Sequence, residues 1–318
     1  MKRILTVLLL MSAGLSIGKL SAQQIPQFSQ YMFNGLYINP AYAGYKGDLY
    51  AHLMYRKQWM GVDGTPQTVM LGVDADLGRG SNMGLVFTND QIGVTTNTSI
   101  MLNYAYRFPV SEEGRLAFGL AAGAVYYGLD KAKSTPDPLI AATENVWKPQ
   151  VDVGAYLDWP DFYAGFSVMG LISNKADTGS MQIMRADPTF FLTGGGMIHI
   201  DETWAIAPST MLKTDFKSPI SVDITAMGVY AETFWLGLSY RTGLNFTYDY
   251  KKLESESLKQ QNALVILAEV YVLENLRIGA AYDFNLMAIS KAYSGGLEVS
   301  IGYYITKLTR KYVTPRYF

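Results

Sequence analysis

The sequence predicts an all-β chain: a single transmembrane β-barrel of about fourteen antiparallel strands, with an ordered N-terminal segment and a short C-terminal periplasmic tail. Three observations predict it. Apolar and polar residues alternate with a period of two in segment after segment; the links between those segments alternate between short and long; and after the first residues no stretch approaches the ~20 continuous apolar residues of a membrane helix. The unit is clearest from Ser221 to Arg241, where Val222, Ile224 and Ala226 alternate with Asp223 and Thr225. After a tight turn at Ala231 and Glu232, Phe234, Leu236, Leu238 and Tyr240 alternate with Gly237, Ser239 and Arg241. A hairpin of this kind offers one face to lipid and the other to a polar interior.

Composition narrows the classes. The 318 residues carry a formal net charge of -1, without the basic excess a nucleic-acid binder needs. There is no cysteine, so no disulfide, no lipobox for acylation and no thiolate metal site. The 23 tyrosines and 14 phenylalanines suit the aromatic girdles of a barrel, although a soluble β-sandwich has the same composition open to it.

In chain order, residues 1–22 read as a cleaved secretory signal: Lys2 and Arg3, an apolar run from Ile4, then Ser21 and Ala22 before the cleavage point. Residues 23–48 are aromatic without alternation and broken by Pro26, Gly35, Pro40 and Gly44, so an ordered segment packed against or inside the barrel is expected. The barrel follows over 49–305. Its first strands are predicted at Leu49 to Arg56, Thr68 to Asp76, Asn82 to Thr88, Ser99 to Phe108 and Arg115 to Val125. Then come Val151 to Asp158, Phe162 to Met169, Phe190 to Ile200, Trp204 to Leu212 and Val222 to Tyr230. Phe234 to Arg241, Ala263 to Val272, Leu276 to Phe284 and Gly296 to Tyr304 complete the set, an even number as closure requires.

Short links follow every even-numbered strand: Leu77 to Ser81, Pro109 to Gly114, Trp159 to Asp161, Asp201 to Thr203, Ala231 to Thr233 and Leu273 to Asn275. Long polar links follow the odd-numbered ones, among them Asn89 to Thr98, Tyr126 to Gln150, Gly170 to Thr189 and Thr242 to Asn262. Outer-membrane barrels have short periplasmic turns and long external loops, which predicts an outer-membrane location with both termini periplasmic. Within the longest link, Lys251 to Lys259 reads as a solvated loop or a short exposed helix. Charge belongs on the inner face, because a charge facing lipid at the midplane costs ~2 to 4 kcal/mol. The inward set is Asp74, Arg107, Asp152, Asp223, Arg241, Glu269, Arg277, Asp283 and Glu298, expected to form ion pairs across the lumen. Trp159, Trp204 and Trp235 lie at or beside short turns, where an interfacial belt is expected. Residues 306–318, with Lys307, Arg310, Lys311, Pro315 and Arg316, read as a basic periplasmic tail.

No catalytic constellation is evident. His52 and His199 take inward parity without a nucleophile beside them, and no phosphate loop or zinc spacing occurs, so no enzyme activity and no cofactor or metal is expected.

Five motifs carry a resemblance: QFSQYMFN at 27–34, INPAYAG at 38–44, YRKQW at 55–59, GTPQT at 64–68 and PRYF at 315–318. Together they resemble the PorP/SprF family, Bacteroidota outer-membrane proteins tied to the type IX secretion system and, in gliding species, to surface adhesins. Ile25 and Gly35 depart from the acidic residue and the proline common there. The resemblance implies a non-enzymatic role in secreting or anchoring cell-surface cargo. The partners it implies are type IX secretion components, cargo with a C-terminal secretion domain and a peptidoglycan-binding periplasmic lipoprotein. It singles out Gln27, Tyr31, Asn39, Pro40, Arg56, Gln58, Trp59, Pro66, Arg316 and Phe318, either as a partner site or as an internal brace for the N-terminal segment. The alternatives are an outer-membrane channel for a small solute and, less favoured, a barrel hydrolase.

Overall fold

The computed structural model describes residues 25–47, 49–61, 64–129, 144–172, 174–178, 181–244, 262–286 and 295–305. The signal segment, the Lys251 to Lys259 link and the basic tail with Arg316 and Phe318 lie outside the described residues. Strands β1 (Tyr50–Lys57), β2 (Gln67–Asp76), β3 (Ser81–Ile92), β4 (Thr95–Pro109), β5 (Arg115–Leu129), β6 (Glu144–Asp158) and β7 (Phe162–Met169) form one half of the wall. After a separate hairpin of β8 (Asn174–Thr178) and β9 (Met181–Ala186) come β10 (Thr189–Gly196), β11 (Ile198–His199) and β12 (Trp204–Thr214). The wall ends with β13 (Ile220–Tyr230), β14 (Phe234–Leu244), β15 (Ala263–Leu273), β16 (Leu276–Asn285) and β17 (Gly296–Tyr304).

Each strand pairs antiparallel with its neighbours, β17 pairs with β1 and β10 pairs with β12, so the sheet closes. The two-residue β11 continues β10 along β12 in the same register, and the barrel has fourteen strands. Closure removes the sheet edges that lipid cannot satisfy. Among the described residues no helix is long and apolar enough to cross a membrane.

Parity along the strands divides the side chains as the period of two requires. On β14, Leu236 is 66% exposed while the adjacent Trp235 is 1% exposed. Leu297, Val299, Ile301 and Tyr303 face out, and Glu298, Ser300 and Gly302 face in. The hairpin of β13 and β14 turns through Ala231 and Glu232, both at positive φ (49° and 54°), the left-handed backbone conformation whose turns match the right-handed twist of paired strands.

Three expectations change. The link at Asn89 to Thr98 is not a loop: β3 and β4 pair from Ile92 and Thr95 onward, joined at Gly93 and Val94. Likewise β5 and β6 stay paired out to Leu129 and Glu144. Beyond the lipid both faces of a strand are polar, so the alternation fades while the backbone ladder continues.

Trp235 is not in an interfacial belt. Its inward parity puts it 5.6 Å from the Phe33 ring, whereas Trp204 stays half exposed against Tyr230 and Trp159 stacks on Phe162.

The interior is also less polar than expected. Inward-facing Met54, Met70, Met101, Met211, Met227 and Leu267 form one apolar cluster with Phe28, Tyr31, Met32, Phe33 and Leu36 of the N-terminal segment. Unbranched methionines adapt their shape to fill such irregular space. The barrel is therefore a packed core around its own N-terminal segment, with charge gathered toward its two ends.

Candidate functional site

The segment from Ile25 to Gly47 occupies the lumen in three short helical turns, Tyr31–Phe33, Gly35–Ile38 and Pro40–Tyr42. Pro26, Gly35 and Pro40 prevent any long helix or strand here, and a chain without regular pairing must find partners for its backbone on the wall. β1 starts and β17 ends at the short-turn end of the barrel. The described part of the segment begins at the other end, at Ile25, and crosses the lumen before β1. At its start Lys213 Nζ donates to the Ile25 carbonyl at 2.5 Å, and Gln27 Nε2 donates to Asp223 at 2.7 Å.

The next residues meet a buried charge network. The backbone N–H of Ser29 donates to both oxygens of Glu298 at 2.8 and 2.9 Å, and that of Gln30 to one of them at 3.2 Å. Ser29 Oγ donates to Asp283 at 2.9 Å. Arg56 bridges Asp283 at 2.6 Å and Glu298 at 3.0 Å, and Arg241 holds Asp223 at 2.8 Å and reaches Ser29 Oγ at 3.2 Å. Two guanidinium groups and three carboxylates from five strands thus close on two consecutive residues. Each buried charge has a counter-charge, the condition under which burial is tolerated.

Deeper in, Tyr31 lies 3.0 Å from Ser209, hydroxyl to hydroxyl. Arg277 pairs with Glu269 at 2.5 Å, donates to the Tyr50 hydroxyl at 3.1 Å and sits over the Phe33 ring. Asn39 caps the turn it begins: its side-chain oxygen accepts from Ala41 N–H at 2.9 Å while its amide donates to the Ala155 carbonyl at 2.9 Å. That turn lies directly on the wall because positions 119 and 154 are glycine; a Cβ on Gly119 would collide with the Ala41 backbone, and one on Gly154 with the Asn39 side chain. At the exit, Gly44 N–H donates to Asp74 at 2.7 Å and Arg107 donates to the Gly44 carbonyl at 3.3 Å. Lys46 is buried there, 5.9 Å from the centre of the Tyr50 ring.

The motif residues are thus brought together unequally. Gln27 and Arg56 join one network through Asp223, Arg241 and Asp283. Gln58, turned with its amide oxygen toward Arg56, accepts from it at 2.8 Å, and its N–H donates to the Pro66 carbonyl at 2.9 Å. Tyr31, Asn39 and Pro40 lie inside, while Trp59 is at the rim, 47% exposed with φ 51°. Asp152 is buried and accepts from Gly170 N–H at 2.7 Å. His52 is buried against Gly72, and His199 sits past the last interior layer, 3.6 Å from Asp161 at the open rim. Sequence reasoning missed Ser29, Lys46, Lys213 and the inward methionines; the methionine parity on β1, β2, β4, β12 and β13 was a usable signal.

The chain covers 85% of its own length and 92% of the Ralstonia pickettii toluene transporter TbuX, with TM-score 0.53 and 10% identity. It likewise covers 85% of itself and 92% of the CymD monoaromatic hydrocarbon channel, with TM-score 0.51 and 12% identity. At such identity the likeness shows the fold alone. Among curated proteins no sequence match was found. A family model matches residues 20–303, and with the closed barrel and its filled lumen on view, the chain belongs to the type IX secretion system membrane protein family PorP/SprF.

Proposed function

We propose that this chain is a non-enzymatic outer-membrane component of the type IX secretion system that helps secrete or anchor adhesin-type surface cargo and links it to periplasmic partners. The observation that carries this reading is the lumen, packed by residues 25–47, which are held near their start by the buried Arg56–Glu298 pair and at their exit by Asp74 and Arg107. A barrel filled in this way serves better as a rigid platform than as an open pore. We assign the long links to the cell exterior and the short turns to the periplasm. In that orientation Ile25 lies toward the outer side, and Tyr50 and Tyr304 toward the periplasm. Cargo with a C-terminal secretion domain then meets the long links; secretion components and a peptidoglycan-binding lipoprotein meet the short-turn face and the basic tail. Residues 1–22 serve as the export signal. Gln27, Tyr31, Asn39, Pro40 and Arg56 act as the internal brace, and Trp59 is the motif residue positioned for a partner.

Mild-detergent purification with mass spectrometry, comparing the intact chain with one lacking Thr306 to Phe318, tests the reading. Loss of periplasmic proteins from the truncated chain supports the role of the tail; an intact chain that captures no secretion component overturns the whole reading. One observation favours a channel instead, a cavity of about 120 Å³ beside the segment. Steady conductance of the full-length chain in planar bilayers would turn the choice toward transport, and a silent barrel toward the platform.

A further inference from the structure

The N-terminal segment does not fill the lumen evenly. Between Tyr37 and the inner faces of β3 to β6, toward the long-link end, it leaves the cavity of about 120 Å³, walled by apolar Val86, Met101 and Val125. Of the three carboxylates that line it, Asp187 is paired with Lys217, and the other two are Asp90 and Asp152, only 4% and 2% exposed. Their partners are neutral: Thr68 Oγ1 donates to Asp90 at 2.6 Å, and Gly170 N–H and Gln150 Nε2 donate to Asp152 at 2.7 and 2.8 Å. Neither forms an ion pair among the described residues, in contrast to Asp223, Asp283 and Glu298 across the lumen. Arg56, the cation whose field reaches Asp90, is already committed to Asp283 and Glu298. Tyr37 and both of these carboxylates line the same space. An independent observation marks the same space. Among the described residues the Thr88 hydroxyl, 6% exposed and lining the cavity, has no hydrogen-bond partner, and neither has the Asn97 side-chain oxygen on the same wall.

Oxygen atoms that accept hydrogen bonds thus dominate an otherwise apolar chamber, and buried carboxylates without a counter-charge are costly. We propose that this chamber is a binding site for an organic cation: an ammonium or guanidinium group on an apolar stem, whose charge lies between Asp90 and Asp152 and whose stem packs on Met101 and Val125. A free alkylamine and the side chain of a lysine or arginine in an incoming peptide share this chemistry. The site goes beyond the secretion role and stands on the lumen geometry alone.

Titration calorimetry on the purified full-length chain in detergent tests it, with n-hexylamine, the neutral n-hexanol, and a short lysine peptide beside its acetyl-lysine form. The amine binds saturably and at least about ten-fold more tightly than the alcohol, the size of one charged hydrogen bond. Asp152→Asn and Asp90→Asn each weaken it about ten-fold, while Asp152→Glu, which keeps the charge, retains it. Heat-modifiable migration on gels checks that every variant is a folded barrel. Tighter binding of the lysine peptide than of hexylamine assigns the site to a protein side chain; the reverse order assigns it to a free amine. Equal binding of amine and alcohol, or affinity unchanged within two-fold in both asparagine variants, overturns the proposal.

Discussion

Two walls of one barrel hold the same segment by different means. The wall of β12 to β17 with β1 grips it by charge: Lys213, Asp223, Arg241, Asp283, Glu298 and Arg56 all reach residues 25–30 or one another. The wall of β5 to β7 grips it by close approach, with Gly119 and Gly154 admitting the Asn39 turn and neutral hydrogen bonds fixing it. Between them, along β3 to β6, lies unfilled space. The contrast teaches that a threaded segment needs directional, strong contacts only on one side; the opposite side can accept it through shape.

Removing charge from the gripping wall has the largest expected effect. Glu298→Ala strands Arg56 beside a single carboxylate and leaves the Ser29 and Gln30 N–H groups without their acceptor, a loss of about 3 to 5 kcal/mol. Urea unfolding in lipid vesicles measures it, and a loss below about 1 kcal/mol, the level of an exposed pair, would erase the distinction between the walls. On the close-approach wall, Gly119→Ala forces the Ala41 backbone away at about 1 to 3 kcal/mol, the range for overpacking. It should also raise bilayer conductance while the barrel stays folded; unchanged conductance would mean that the segment yields elsewhere.

Asn39→Ala comes next, at about 1 kcal/mol for a lost cap, read by the same unfolding curve. The smallest change is expected facing the empty space. Asp90→Asn keeps an acceptor for Thr68, breaks no ion pair and removes a buried charge, so stability should not fall. A large loss there would show that the cavity wall is as tightly coupled to the segment as the charged one.

Much of this fold was legible because lipid imposes a simple rule. Leu236 beside Trp235, and Leu297 beside Glu298, announce two faces wherever one meets hydrocarbon, and the short turns count the strands. The same rule explains the misreadings. At Asn89 to Thr98 both faces are polar, so the pattern carried no sign of the continuing ladder. Trp235 was read by its nearness to a turn when its parity already placed it inside. For the candidate site, motif residues such as Gln27 and Arg56 were visible, whereas Ser29 acts largely through its backbone N–H, which no side-chain pattern reveals.

By itself the sequence determined a closed, lipid-facing barrel and which residues of each strand look inward, because alternation is local and hydrocarbon penalises every exception. Only the tertiary structure decided what fills the inside: that residues 25–47 cross the lumen from the long-link end, that Ser29 meets Glu298 across 269 positions of chain, and that Asp90 and Asp152 share a cavity. Those contacts join residues far apart in sequence, and closure of the barrel, not any local preference, brings them within reach.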